Sequence, residues 1–364
     1  MSKAAELANL IGNINAGGGG VNRNVIINGA MNVAQRGTST TGLGANGANY
    51  STVDRFYTYA NGTAGRFTMT QDSSAPDGFA NSLKLDCTTA DTSIAAAEQL
   101  VLAQVIEGQN LQHLNKGTSS ALPVAVSFYV KGNASATYMC ALIDNDNNRM
   151  STKQFSVTTD WTRITINVPA DTTGALDDDN AGSFNLNFYL HAGSNLTGGT
   201  YTASTWGAST DANRAVGISS FFDSTDRTFF LTGVQLEVGQ NATEFEHEPV
   251  ERTLAKCQRY YQRWQANTAY DAVCVGQMTT DIFWVGQYRL APEMKAEPTL
   301  SSNGTFKVNA SNSDMDASSI ALARATPQIV SIECATTDAD RQGQGAYLRA
   351  GDDSDAFIEF ISEL

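Results

Sequence analysis

From residue 64 to 238 the chain is a succession of short segments in which apolar side chains recur at every second position. Alternation places successive side chains on opposite faces of an extended strand, so each segment can bury one face and wet the other. Candidate strands lie at 66–70, 82–87, 98–106, 123–131, 136–143, 153–157, 161–168, 183–190 and 229–238. In the second of these Leu83, Leu85 and Cys87 share a face. In 161–168 the apolar set is Trp161, Ile164, Ile166 and Val168, which asks for a bulge near Arg163 and puts Trp161 in the core. Short strands joined by turn-rich connections predict a mainly β chain built on a two-sheet sandwich. The long polar connections at 171–182 and 191–214 then belong at one end or edge of it.

The flanks read differently. Residues 2–14 predict a helix capped by Ser2, with Ala4, Leu7, Ile11 and Ile14 in one narrow apolar stripe. A helix this short is unstable alone in water and needs a partner. The glycine run 17–20 that follows reads as a hinge. Residues 25–27 predict a short buried strand ended by the turn pair Asn28-Gly29, and 37–49 a loop. Residues 249–264 predict a second helix. Pro249 suits its first turn, Glu246, Glu248 and Glu251 sit at the positive end of its dipole, and Leu254, Cys257, Tyr261 and Trp264 repeat the narrow stripe. Beyond it the period of two returns at 272–278, 282–288, 304–308, 320–325, 329–334, 345–349 and 356–361, the last an edge or closing strand. Trp264 and Trp284 are expected to pack inside this second region.

Composition narrows the function. Charged residues are 16% of the chain, below the roughly 25% of an average soluble domain, so the polar surface must come from Asn, Thr, Ser, Gln and Gly. A net charge of −14 repels phosphate backbones and argues against nucleic acid as a partner. Five widely spaced cysteines without a Cys-x-x-Cys pair predict buried free thiols rather than a disulfide framework or zinc site. No signal peptide and no apolar run long enough for membrane insertion is seen. A role outside a cell would then follow from assembly in a host cytoplasm and release by lysis.

No catalytic residues are assigned. His113, His191 and His247 sit in loops or polar contexts without a nucleophile motif. Acidic residues are too plentiful for sequence to single out a glycan-cleaving pair. Residues 144–148 resemble the start of a calcium loop, but Arg149 and Phe155 stand where Gly and Glu are needed, so a hairpin turn is expected. Asp177, Asp178 and Asp179 read as a solvated charge run. The glycines at 17–20 lack the Lys-Ser/Thr of a phosphate loop. Sugar recognition rests on aromatic faces beside amides and carboxylates. Trp206, Tyr201, Tyr57 and Tyr59, with Phe56, lie in polar, loop-like stretches and are the candidate glycan-binding residues; Trp206 can alternatively plug an end of the sandwich.

Residues 24–36 (NVIINGAMNVAQR), 53–59 (VDRFYTY), 228–239 (TFFLTGVQLEVG) and 254–264 (LAKCQRYYQRW) resemble phrases of tail-fibre and other receptor-binding appendage proteins of tailed bacteriophages. Residues 126–132, 155–163 and 231–237 resemble, in the same order, jelly-roll modules of the carbohydrate-binding type. The resemblance implies an N-terminal anchor helix and glycine hinge over 1–20, a jelly-roll domain over 21–247, a connecting helix over 248–266 and a smaller C-terminal β domain over 267–364. It also implies a structural protein of the virion that projects from the particle and binds host-surface polysaccharide. Such modules often carry a structural calcium; no residue marks one here, and no other cofactor or metal is expected. The apolar stripes predict a homotrimer, with a dimer as the other arrangement. Leu7, Ile11, Ile14, Leu254 and Tyr261 are the candidates for contacts between copies or, at the N-terminus, with other virion proteins. Two other readings are a glycan-depolymerising tailspike enzyme and a prophage-encoded glycan-binding protein.

Overall fold

A computed structural model describes residues 2–15, 22–337 and 341–364, with the backbone alone at 9, 10 and 12–15. The chain forms two compact units, residues 1–253 with Leu364, and residues 254–363. Helix α1 (Lys3–Asn15) opens the first, with Ser2 Oγ accepting from the Ala5 N–H at 3.3 Å. Its stripe residues Leu7 and Ile11 are 57% and 49% exposed. The side chain of Ile14 and the glycine hinge lie outside the described residues.

Among its described residues the first unit holds thirteen strands. They are β1 (Ser39–Leu43), β2 (Gly47–Asn49), β3 (Tyr57–Asn61), β4 (Arg66–Asp72), β5 (Ser82–Thr89), β6 (Gln99–Glu107) and β7 (Val124–Gly132), then β8 (Ala136–Asp144), β9 (Arg149–Val157), β10 (Thr162–Val168), β11 (Gly182–Ala192), β12 (Gly207–Ala208) and β13 (Thr228–Val238). A short helix, α2 (Ser194–Thr197), follows β11. One sheet has the order β1-β4-β5-β13-β7-β10, the other β12-β9-β8-β11-β6-β3-β2. This is the two-sheet sandwich that the alternation predicts, and the jelly roll that the resemblance implies. The residues that alternate inward meet between the sheets: Leu83 and Leu85 of β5, Phe128 and Val130 of β7, Phe155 of β9, and Leu186 and Phe188 of β11. The Phe128 ring meets Phe188 edge to face at 5.0 Å, the arrangement that ring quadrupoles favour.

Several expectations need correction. Residues 25–27 form no strand; this segment runs beside β13, where the Val25 N–H donates to Leu236 O at 3.0 Å and Glu246 accepts from the backbone of Asn22 and Asn24. Gly29 is required there, because a Cβ would stand 2.0 Å from Val234 O. The stretch 37–49, expected as a loop, contains β1 and β2. Strand β10 pairs with β7 in continuous register from Thr162 to Val168, so the bulge at Arg163 does not exist. Trp161 lies just outside that strand, half-buried against Phe230 at 6.0 Å and away from the central core. The Asp-Arg-aromatic phrase is structural: Val53 and Phe56 are buried, and Arg55, also buried, donates to Val105 O at 2.9 Å.

The second unit begins within helix α3 (Val250–Gln258). The helix stops there, and Tyr261 and Trp264 belong to strand β14 (Tyr261–Gln265). The run of aromatic and long side chains suits a pleated, half-buried surface, and pairing with the last strand overrides the helical spacing. The remaining strands are β15 (Ala272–Thr280), β16 (Phe283–Arg289), β17 (Thr299–Asn303), β18 (Phe306–Ala310), β19 (Ser313–Asp316), β20 (Ala321–Ala325), β21 (Ile329–Ala335), β22 (Gly345–Ala350) and β23 (Phe357–Ile361). They form sheets of order β14-β23-β17 and β19-β18-β22-β15-β16-β21-β20. The last strand is therefore central in its sheet, not at an edge. Trp284, Phe306, Leu348 and Phe360 fill the core of this unit, with Trp264 packed against it. None of the described cysteines is in a disulfide. Among the described residues no helix is long and apolar enough to cross a membrane.

Candidate functional site

The seven-stranded sheet of the jelly roll has a second face. Phe184, Leu186, Phe188 and Leu190 of β11 point into the sandwich, so Asn185, Asn187 and Tyr189 point the other way. Register then builds lateral rows. Tyr57 pairs with Ala103, Ala103 with Asn187 and Asn187 with Ala141. In the next row Tyr59, Val101, Tyr189 and Met139 stand side by side. The segment 193–218 folds onto this face, contributing Leu196, Ala215, Tyr201 and Ile218 to a small apolar cluster with Val101, Met139 and Tyr189. Three sequence candidates thus meet on one face: Tyr57, Tyr59 and Tyr201.

Their roles differ. Tyr201 is tied down, its hydroxyl accepting from the Gln154 N–H at 3.1 Å. Tyr57 is half-buried and Tyr59 is 36% exposed, at the side of the sheet formed by β3 and β2. Tyr50, absent from the sequence candidates, extends this strip: its ring lies 5.2 Å from that of Tyr57, with the Arg36 guanidinium 5.7 Å from the Tyr50 ring. Burial, and less strongly the neighbouring Tyr189, push the Tyr57 hydroxyl up to about 12, so it stays a neutral donor. Burial pushes the Tyr189 hydroxyl up, while the nearby Arg214 guanidinium and Asn187 amide pull it the other way. The buried Asn187 Oδ1 has no hydrogen-bond partner among the described residues. Aromatic faces beside an amide and a guanidinium are the chemistry that holds a polyhydroxylated ring. Phe56 takes no part, being wholly buried in the core.

Trp206 goes elsewhere. It precedes β12, its indole N–H donates to Pro169 O at 2.9 Å, and its ring packs on Phe184 at 6.0 Å. The hollow beside it, lined by Leu114, Lys116, Val124 and Asp171 among others, has about 10 Å³ of room, space for one water at most. Beneath it the Lys116 ammonium lies 2.5 Å from Asp144, 3.1 Å from Asp171 and 2.9 Å from the carbonyls of Thr173 and Gly174. Arg149 grips Asp171 with two hydrogen bonds, of 2.7 and 2.9 Å. Burial pushes the Asp171 carboxyl up, but Arg149 and Lys116 outweigh it and hold the group below the usual carboxylate range. The calcium-like stretch 144–148 is a hairpin turn, Asp144 pairing with Arg149, and its buried carboxylate is already occupied by Lys116. These residues do not fit calcium. Asp177, Asp178 and Asp179 are exposed.

Tyr261 is buried in the second unit, its hydroxyl donating to Glu359 at 2.5 Å, and Leu254 is half-buried. Of the histidines, His191 lies next to the end of β11, fully buried, with Nδ1 2.8 Å from Ser220 Oγ and Nε2 3.3 Å from Glu98 Oε2. Ser220, His191 and Glu98 line up like a nucleophile, base and acid. Yet Ser220 Oγ accepts the Phe222 N–H at 3.0 Å as a helical cap, and the imidazole has no exposed edge.

Comparison with protein-family models and with curated proteins finds no match. Among solved structures the chain is similar to the family 11 carbohydrate-binding module of a cellulosomal cellulase of Clostridium thermocellum, at 13% identity and a TM-score of 0.28, over 56% of this chain and 99% of that one. It is similar to the enzymatically active domain of tailspike protein 4 of bacteriophage CBA120, at 11% identity and a TM-score of 0.30, over 59% of this chain and 21% of that one. It is also similar to TmCBM61 in complex with β-1,4-galactotriose, at 9% identity and a TM-score of 0.30, over 59% and 99% of the two chains.

Proposed function

We propose that this protein is a structural component of a tailed-phage virion, a fibre or similar appendage, whose jelly-roll unit binds host-surface glycan where Tyr50, Tyr57 and Tyr59 stand. The observation that carries the binding site is the tyrosine strip itself, Tyr50 against Tyr57 at 5.2 Å with the partly exposed Tyr59 two residues along the same strand. The virion role rests on the resemblance of the flanking phrases to phage appendages. Copies would associate as a trimer through α1, whose stripe residues Leu7 and Ile11 are exposed, and weak sites presented together would gain avidity.

A glycan array probed with the full chain tests the binding site. The expected result is a restricted set of hits whose affinity falls about tenfold or more in Tyr57→Ala and Tyr59→Ala, since losing a central aromatic contact costs of order 1–2 kcal/mol. Hits that survive both substitutions would place recognition elsewhere.

A further inference from the structure

At the connection between β5 and β6, Asp91 and Glu98 meet His191 of β11, each offering one ligand atom, all within 4.8 Å of one another. The three are 6%, 5% and 0% exposed. Each is held in place. Asp91 Oδ2 accepts from Thr63 Oγ1 at 2.8 Å and from the Ala64 N–H at 2.7 Å, and its Oδ1 from the Ser93 N–H at 3.3 Å. His191 is pinned at Nδ1 by Ser220 and flanked by the Phe222 ring at 5.2 Å.

The charges do not balance. Where Asp144 and Asp171 are buried together, Lys116 and Arg149 neutralise them. Among the described residues no lysine or arginine pairs with Asp91 or Glu98; the one ion-pair partner is His191. Two buried carboxylates without a cation are costly. The imidazole has two neutral forms. With Nε2–H donating to Glu98, the contact is satisfied but both negative charges remain. With Nδ1–H donating to Ser220 Oγ, which has a second lone pair for it, the Nε2 lone pair faces Glu98 Oε2 at 3.3 Å, an arrangement that either a shared proton or a metal ion between them would satisfy.

We propose that Asp91, Glu98 and His191 bind one first-row divalent cation, with Ser220 orienting the imidazole from its far side. One imidazole nitrogen and two carboxylate oxygens suit zinc or manganese, whereas calcium takes oxygen ligands. The outer partners, Ser220, Thr63 and the Ala64 amide, are of the kind that fix the ligands of metal sites. The cation would tie the β5–β6 connection to the end of β11.

The test uses the full chain, dialysed against EDTA and then titrated with zinc, manganese and calcium chlorides. Bound metal is counted by elemental analysis and thermal unfolding is followed in parallel. The expected result is one zinc per chain, a higher Tm with zinc than with calcium, and affinity reduced roughly tenfold or more in Glu98→Gln and Asp91→Asn. The exposed-site variant Asp178→Asn should bind zinc as the parent does. Cobalt in place of zinc should give visible absorption bands that Glu98→Gln alters. Less than stoichiometric zinc on the parent chain, or zinc binding unchanged in both ligand variants, would overturn the proposal. A preference for calcium would overturn it too.

Discussion

The Lys116 ammonium lies between Asp144 and Asp171, whereas Arg149 reaches only Asp171. Lys116→Met would therefore leave Asp144 buried without a cation. Removing one partner of a buried pair costs about 3–5 kcal/mol, so the urea midpoint of the jelly-roll unit should fall by that equivalent. The same cluster sets an acid limit. The Asp171 carboxyl is held below its ordinary value, so its stabilisation is fully present above the unfolded-state pKa of about 3.9 and is lost as pH falls through the folded value. Denaturation curves collected downward from pH 6 should show this loss below about pH 4, and Asp171→Asn should be less stable at pH 6 but lose less on acidification. A parent chain whose urea midpoint is flat through that range would show that the pair is not coupled to folding.

How much the sequence revealed varied with the element. Strands with a clean apolar alternation, such as Leu83-Lys84-Leu85-Asp86-Cys87, were legible because one face is buried and the other is wet. Strands β1 and β2 were not, since Ser39–Leu43 and Gly47–Asn49 carry almost no apolar side chains; Leu43 alone reaches the core. Residues 259–265 misled because Tyr261 and Trp264 keep helical spacing from Cys257 while their partners, Ile361 and Ile358, lie at the far end of the chain. The candidate site was half legible. Tyr57 and Tyr59 could be picked as aromatics in polar company, but Asn187 and Tyr189 join them only through strand register, which no local pattern encodes. Helix α1 illustrates the reverse case: its stripe was legible, and Leu7 and Ile11 are exposed in the isolated chain. If that stripe is the seam between copies, light scattering should give the mass of three chains for the parent. Leu7→Asp with Ile11→Asp should lower it to one, with folding unchanged by circular dichroism. A monomeric parent at micromolar concentration would contradict the trimer.

Taken together, the jelly roll places Tyr57 and Tyr59 on β3, near one side of the seven-stranded sheet, whereas Asp144 and Arg149 of the buried lysine cluster belong to β8 and β9 near the other, and the second unit supplies a separate β core. Binding without cleavage fits a site made of aromatic rings, an amide and a guanidinium. Incubation with a bound polysaccharide should leave its chain length unchanged. The most direct measurement is hydrogen–deuterium exchange of the full chain with and without a glycan identified on the array. Added protection is predicted in β3, in β11 around Asn187 and Tyr189, and around Arg214, with residues 306–361 unaffected. Protection confined to the second unit, or to the surroundings of Trp206, would contradict the assignment of the binding face.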